Sequence, residues 1–192
     1  MFLGLSHSEW QFINTFAPWL SAIGTLSAVL LSLYVAFRRP RPRAKLTASV
    51  YMMVEAGSAP PFPDFVHIKV VNTGDRPFKI TAIGWTCGMF NKRAALQNTD
   101  GLPNSSSLPI VLEHGQEAIY LVPFAFAGES WPKYFARGVL MPRWRLALWS
   151  LRSTAYTSTG SVFKAKPDQS LRKALEKACQ SLKGDSPPQL KQ

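Results

Sequence analysis

The first 37 residues contain no lysine or arginine, although the chain has 22 such residues and a formal net charge of +11. A cleaved secretory signal begins with positive charge and ends at a small-x-small site. This segment lacks that leading charge, and Tyr34 is too large for a site ending at Ala36, so we do not expect cleavage. Cations confined to the remainder point to a membrane, anionic lipid or nucleic acid as partner.

Residues that perform catalysis or bind metals are also scarce. The chain has three histidines and 11 acidic residues, and neither a Gly-rich phosphate loop nor a Gly-x-Ser-x-Gly motif. His7, His67 and His114 have no second ligand at zinc spacing, so we expect no metal, no cofactor and no enzyme. His67 lies within a predicted strand. His114, with Glu117, is the remaining acid–base candidate, although solvated turn residues are the commoner explanation.

The chain has only two cysteines, Cys87 and Cys179. They lie far apart and belong to no redox or zinc motif. We expect two free thiols, with one disulfide as the alternative. Free thiols favour a reducing compartment.

A long apolar run is present, and it extends over residues 18–37. A helix of 20 residues covers roughly 30 Å, the hydrocarbon thickness of a bilayer. Trp19 and Tyr34 lie near its two ends, at headgroup depth. Ser8 and Gln11 fit a capping box, which predicts that the helix begins at Glu9. We therefore predict a non-cytoplasmic segment over 1–17 and a transmembrane helix over 18–37.

Cations follow this run at once, in a basic linker over residues 38–45. Positive residues stay on the cytoplasmic side, so we expect a single-pass protein of the inner membrane with its N-terminus outside. The same side chains can contact anionic headgroups, which makes membrane lipids a predicted partner. The residues concerned are Arg38, Arg39, Arg41, Arg43 and Lys45.

One stripe of the predicted span carries small and hydroxyl residues. Such stripes let helix backbones approach closely, and their polar side chains can bond across the contact. The alternative is chance, because Ser, Ala and Gly are common in spans. We predict a homo-oligomer or contact with another membrane protein through Asn14, Ala17, Ser21, Thr25, Ala28 and Ser32.

Residues 46–166 read as short strands separated by turns. Residues 65–71 alternate, with His67 and Lys69 on one face and Ile68 and Val70 on the other. Asn72 opens a turn, and residues 91–107 read as a polar loop. Residues 143–165, which begin at Arg143, are predicted to form a final pair of strands. Six to eight such strands predict an all-β antiparallel sandwich.

The end of the chain predicts an amphipathic helix over 167–184 and a disordered tail over 185–192. Asp168 is a capping residue, and the apolar residues Leu171, Ala174, Leu175, Ala178 and Leu182 recur at helical spacing. The basic residues of this helix suit a membrane surface or an acidic partner. Packing against the sandwich is the alternative that we favour.

Two segments carry a family resemblance. "WLSAIGTLSAVLLSLYVAFRRPRPR" followed by "VVNTGDRPFKITAIGW" resembles small bacterial single-span membrane proteins, and "YTSTGSVF" is similar to a hairpin turn near their end. The resemblance covers roughly residues 15–90. It implies an immunoglobulin-like β domain of unknown function, and neither a reaction nor catalytic residues.

The last candidate site is a patch in which cations alternate with aromatic side chains. It consists of Arg143, Trp144, Arg145 and Trp149. This pattern suits a solvated or lipid-facing surface, a protein partner or nucleic acid, in that order. We predict a membrane-anchored, non-enzymatic interaction protein of unknown process, with a cytoplasmic β-sandwich. The alternatives are a membrane-tethered nucleic-acid binder and an enzyme at the membrane surface.

Overall fold

In a computed structural model of the chain, the described residues are 7–37, 42–54, 57, 59–88, 92–102, 104–126 and 128–184; the side chains of 7–10, 13 and 126 are not described. They belong to two compact units, Met1–Pro40 and Arg41–Gln192. The linker cations Arg38, Arg39 and Arg41 and the predicted tail 185–192 lie outside the described residues.

The first unit contains one helix, α1, at His7–Phe37. It begins two residues earlier than predicted, so Ser8 lies within the helix and the predicted N-cap is wrong. The part from Asn14 to Phe37 has a mean hydropathy of 2.0, and none of it is buried. By length and composition, this helix can cross a membrane.

The second unit is built mainly from antiparallel strands. The strands are β1 Ala44–Met52, β2 Asp64–Asn72, β3 Phe78–Cys87, β4 Arg93–Gln97, β5 Ile110–Leu112, β6 Glu117–Pro123, β7 Ala125–Phe126, β8 Glu129–Ser130, β9 Arg152–Thr157 and β10 Val162–Ala165. One sheet has the order β1-β2-β6, and a second has the order β10-β9-β3-β4 with β5 also paired to β3. β7 and β8 form a separate pair.

The two larger sheets contribute to one hydrophobic core. Val66, Ile68 and Val70 of β2 are fully buried, whereas His67 and Lys69 on the other face are half-buried, which confirms the predicted alternation. Apolar side chains of the second sheet belong to the same buried cluster. Burial of this kind is the main favourable term in folding.

β4 lies in the segment that the sequence predicts as a polar loop, and that prediction is wrong for residues 93–97. Its residues do not alternate between apolar and polar, so the strand has no signal of its own. It forms by pairing with β3, and the two strands approach closely at Gly84. A Cβ at Gly84 would lie 2.4 Å from the carbonyl oxygen of Ala95.

The free edge of β6 is covered by two serine hydroxyls. Ser106 Oγ accepts the backbone N–H of Ile119 at 3.1 Å, and Ser105 Oγ accepts that of Leu121 at 2.8 Å. The backbone N–H of Ser106 donates to the Ile119 carbonyl at 2.8 Å. These bonds satisfy strand groups that would otherwise need water or another strand.

A helical segment interrupts the strands. It consists of α2 at Trp131–Phe135, a π-helical turn at Ala136–Leu140 and α3 at Trp144–Ser150. The predicted strand from Arg143 is therefore wrong over residues 144–150, whereas the following strands, β9 and β10, are present. The side chains of α3 that face the core recur three and four residues apart, as in a helix.

The last helix, α4, extends over Gln169–Gly184. Leu171, Leu175 and Cys179 on one face are buried in the domain core, so the helix packs on the β domain as favoured above. Asp168 precedes the first helical residue and accepts a bond from the Ser170 hydroxyl at 3.1 Å. Hydrogen bonds from Gln169 and Ser170 lower the pKa of its carboxyl group.

Candidate functional site

A cleft of about 480 Å³ opens where the end of β3 and the start of β4 meet the π-helical turn and α3. We call it the α3 cleft. Its walls are mainly apolar, and they include Cys87, Val139, Met141, Leu146, Ala147 and Trp149. Two cations, Arg93 and Arg143, also line it, and none of its described lining residues is acidic.

Hydrogen bonds fix the elements that form the cleft. The backbone N–H of Gly88, at the end of β3, donates to Ser150 Oγ at 2.8 Å. That hydroxyl lies 2.9 Å from the Leu146 carbonyl oxygen, so it joins β3 to α3. Arg93 Nη1 donates to the Met141 carbonyl oxygen at 2.8 Å and joins β4 to the segment before α3. The cleft is therefore a defined feature of the fold.

An aromatic cluster supports the wall that the π-helical turn provides. The rings of Trp131 and Phe135 stack with centroids 4.8 Å apart, and Phe135 contacts Trp85 edge-on at 5.4 Å. Trp85 is 1% exposed, and its indole N–H donates to Gln97 Oε1 at 3.4 Å. These rings hold the turn against the second sheet, because each buries a large apolar area.

The thiol in the cleft wall is a structural group. Cys87 is buried, and its Sγ lies 3.6 Å from the Val139 carbonyl oxygen. Burial raises the pKa of this thiol, and the Arg93 charge opposes that rise in part. Because the thiolate is the nucleophilic form, a raised pKa makes Cys87 a poor nucleophile at neutral pH.

The mouth of the cleft exposes apolar surface. Leu146 is 67% exposed and Trp149 is 62% exposed, although both belong to a helix whose opposite side is buried. Arg143 is also exposed. Apolar walls beside guanidinium groups can bind a ligand that combines an apolar part with an anionic group.

The four residues of the predicted patch all lie on or directly before α3, but the structure divides them. Arg143 and Trp149 line the cleft. Trp144 packs against the core, and Arg145 lies over its ring at 5.4 Å from Cζ to the ring centroid, in a cation–π contact. Sequence reasoning missed Arg93, which comes from a strand 50 residues earlier.

The acid–base candidate is not assembled into a pair. His114 lies in a turn, with Nδ1 3.1 Å from the Gly74 carbonyl oxygen. Glu117 forms an ion pair with Lys69. Each group therefore has its own partner. Among the described residues there is no group of three His, Cys, Asp or Glu side chains that can hold a metal ion.

His67 lies on the outer face of the first sheet and contacts the Tyr51 ring edge-on, with centroids 4.6 Å apart. Its Nδ1 is buried and has no hydrogen-bond partner in the described part of the chain. Burial lowers the pKa of His67; the Lys69 charge acts in the same direction and the Glu117 charge opposes it.

Asn72 has a role that sequence reasoning missed, since one of its partners, Leu112, lies 40 residues away in the chain. The residue is fully buried, and its Nδ2 donates to the carbonyl oxygens of Arg76 and Leu112, each at 2.9 Å. Its Oδ1 accepts the Gly74 N–H at 2.9 Å, and the Arg43 carbonyl oxygen accepts the same N–H at 3.1 Å. We call this set the Asn72 junction; it joins β1, β2, β3 and β5.

The stripe residues of α1 are exposed within the helix. Thr25 Oγ1 donates to the Ser21 carbonyl oxygen at 2.9 Å, and Ser32 Oγ donates to the Ala28 carbonyl oxygen at 2.8 Å. Both hydroxyl groups therefore donate their hydrogen bonds within their own helix. Close approach through small side chains is then the main property that Ser21, Thr25, Ala28 and Ser32 offer to a neighbouring helix.

Comparison with known proteins gives little further information. No family model and no curated protein matches the chain. A crystal structure of a protein described as ApaA from Bordetella pertussis aligns with 66% of this chain and 89% of its own, at 13% identity and a TM-score of 0.32. A similarity at this level supports no conclusion on fold or function.

Proposed function

We propose that the chain is a single-pass, membrane-anchored interaction protein without enzymatic activity. α1 spans the inner membrane, and a cytoplasmic β-sandwich of immunoglobulin-like type presents the α3 cleft to a partner. The observation that carries this proposal is that one chain contains both an apolar helix, unburied over Asn14–Phe37, and a β domain with an apolar cleft lined by two arginines.

The membrane location is supported by length and charge. At 1.5 Å per residue, the 24 residues from Asn14 to Phe37 cover about 36 Å, more than the hydrocarbon core of a bilayer. An apolar helix that the protein does not bury needs lipid or another helix around it. The cations that follow Phe37 favour a cytoplasmic β domain.

The immunoglobulin-like architecture is supported by two antiparallel sheets that share one core. Such a sandwich presents binding sites on the elements that connect its strands. The α3 cleft lies on such a connecting element, the helical segment that contains the π-helical turn and α3 and leads into β9. This position favours binding over catalysis, since the cleft holds apolar walls and guanidinium groups.

The orientation can be tested by fusing alkaline phosphatase or green fluorescent protein after residue 184. We expect a fluorescent green fluorescent protein fusion and an inactive phosphatase fusion, because phosphatase folds only outside the reducing cytoplasm. Active phosphatase would contradict the proposed orientation. Replacement of the five linker cations by Gln should weaken the preference for one orientation, so that fluorescence falls and phosphatase activity rises.

Association through the small-residue stripe can be tested by crosslinking in intact membranes, with capture through a C-terminal tag. The variant Ser21→Leu, Thr25→Leu, Ala28→Leu should reduce crosslinked species several-fold, because bulky side chains separate the backbones. The control replaces Leu26, Leu30 and Leu33, on the opposite surface, by Ile. Equal crosslinking in both variants would contradict the stripe as the contact.

A further inference from the structure

We propose that the α3 cleft binds one molecule of a single-chain amphiphile with an anionic head, represented chemically by a long-chain carboxylate. The alkyl chain lies between the π-helical turn and α3, and the carboxylate binds Arg93 and Arg143. This proposal rests on the function proposed above and names the chemistry of the partner that the α3 cleft binds; it does not depend on the membrane orientation.

The size and lining of the cleft agree with an alkyl chain. Its volume of about 480 Å³ lies within the range of roughly 300–1,000 Å³ that is typical of small-ligand pockets. Val139, Met141, Leu146, Ala147 and Trp149 provide apolar surface from both sides. Leu146 and Trp149 are mostly exposed, and an alkyl chain in the cleft would remove that surface from water.

The charges of the cleft select the head group. Arg93 is held by a bond from Nη1 to the Met141 carbonyl oxygen, which uses one of the five N–H groups of its guanidinium. A carboxylate can pair with a fork of two remaining N–H groups. Arg143 adds a second positive charge, and the described lining residues include no carboxylate that would compete with the ligand.

The same features argue against two other occupants. A stable protein partner buries more than about 1,000 Å² across a broad surface, whereas this cleft is a cavity of about 480 Å³ between elements that hydrogen bonds fix. A bilayer surface would contact the exposed side of α3 and would not need a cavity. Both alternatives are outcomes of the experiment below.

The test uses the full chain in phosphatidylcholine nanodiscs and a long-chain carboxylate that carries a photoactivatable diazirine. Adducts are located by mass spectrometry. We expect adducts on residues 139–149, and also on α1, where probe dissolved in the bilayer provides an internal reference. Excess unlabelled dodecanoate should reduce the cleft adducts at least five-fold relative to α1, and the same concentration of dodecanol should reduce them much less, because it lacks the anionic head.

Variants separate the roles of tail and head. Ala147→Trp fills the cleft and should reduce cleft adducts at least five-fold for both the carboxylate probe and a matched alcohol probe. Arg93→Gln with Arg143→Gln should reduce them only for the carboxylate. A double variant with Lys133→Gln and Arg152→Gln is the matched charge control and should retain them. Melting temperatures verify that each variant is folded.

Three outcomes overturn the proposal. The first is cleft labelling that dodecanoate does not reduce in the wild-type chain. The second is equal competition by phosphatidylglycerol in the nanodisc, which would assign the cleft to a bilayer surface. The third is equal labelling by both probes in the wild type and the arginine variant, which would remove the role of the anionic head.

Discussion

The Asn72 junction and the α3 cleft belong to the same β domain but differ in what they leave exposed: the polar groups of the junction are buried and hydrogen-bonded, whereas the cleft has apolar side chains in contact with solvent. At the junction, a fully buried amide donates to two carbonyl oxygens and accepts one backbone N–H. At the cleft, apolar side chains are left exposed beside two guanidinium groups. A complete set of hydrogen bonds leaves the junction nothing to offer a ligand, whereas the cleft has both apolar surface and charge available.

The difference separates a part of the domain that stabilises the fold from the part that we propose as a binding site. Loss of a side chain at the junction should destabilise the fold, because buried backbone groups would lose their partners. Loss of an exposed side chain at the cleft should leave the fold intact and reduce only the binding that we propose for the cleft. The following predictions test this distinction.

Asn72→Ala should produce the largest loss of stability. It removes three hydrogen bonds and takes the amide donor away from the Arg76 and Leu112 carbonyl oxygens, whereas the Gly74 N–H keeps its bond to the Arg43 carbonyl oxygen. We therefore expect the free energy of unfolding to fall by about 3 kcal/mol. Urea unfolding of the full chain in detergent, followed by tryptophan fluorescence, measures the change. Asn98→Ala, at an exposed residue with one backbone contact, is the matched control and should cost less than about 1 kcal/mol.

His67 is an intermediate case, with a buried nitrogen that has no partner in the described part of the chain. Its pKa in the folded state is below the ordinary value of 6.5, so the unfolded state binds the proton more readily. The stability is complete above about pH 6.5 and should decrease as the pH falls from 6.5 towards the lower folded-state pKa.

Melting temperatures between pH 7.5 and 5.5 measure this effect. His67→Gln should show a smaller decrease with falling pH than the wild type, because glutamine does not titrate. Thr47→Ala, on the same sheet face, keeps the imidazole and should retain the wild-type decrease. An identical pH dependence in His67→Gln and the wild type would contradict the assignment.

Leu146→Ala should have the smallest effect on stability. The side chain is 67% exposed, so we expect a change within about 0.5 kcal/mol. Leu148→Ala, two residues further along the same helix, removes a side chain that is 7% exposed and should cost about 2–3 kcal/mol. Equal losses in the two variants would show that the cleft wall is part of the stabilising core.

The sequence predicts most of the elements whose pattern is local. The hydropathy of residues 18–37 predicts the apolar helix, the alternation around Ile68 predicts β2, and the spacing of Leu171 and Leu175 predicts α4. α3 was missed because seven residues are too few for a clear period, although Trp144, Ala147, Leu148 and Leu151 are at helical spacing.

The candidate site is less predictable than the fold elements, because it depends on contacts between distant segments. Arg143 and Trp149 were selected from local composition. Arg93 joins them only because β4 pairs with β3, and the close approach at Gly84 that permits this pairing has no sequence pattern of its own. The role of Asn72 likewise depends on Leu112, 40 residues away.

The two serine hydroxyls that cover the edge of β6 affect how copies of this chain can associate. A protein confined to a membrane meets its own copies far more often than one that diffuses in three dimensions. An exposed strand edge would then recruit the next copy by backbone pairing, which is irreversible when it propagates into aggregates. Because Ser105 and Ser106 already occupy the N–H groups of Leu121 and Ile119, a chain anchored as proposed above would not present this edge to a neighbouring copy.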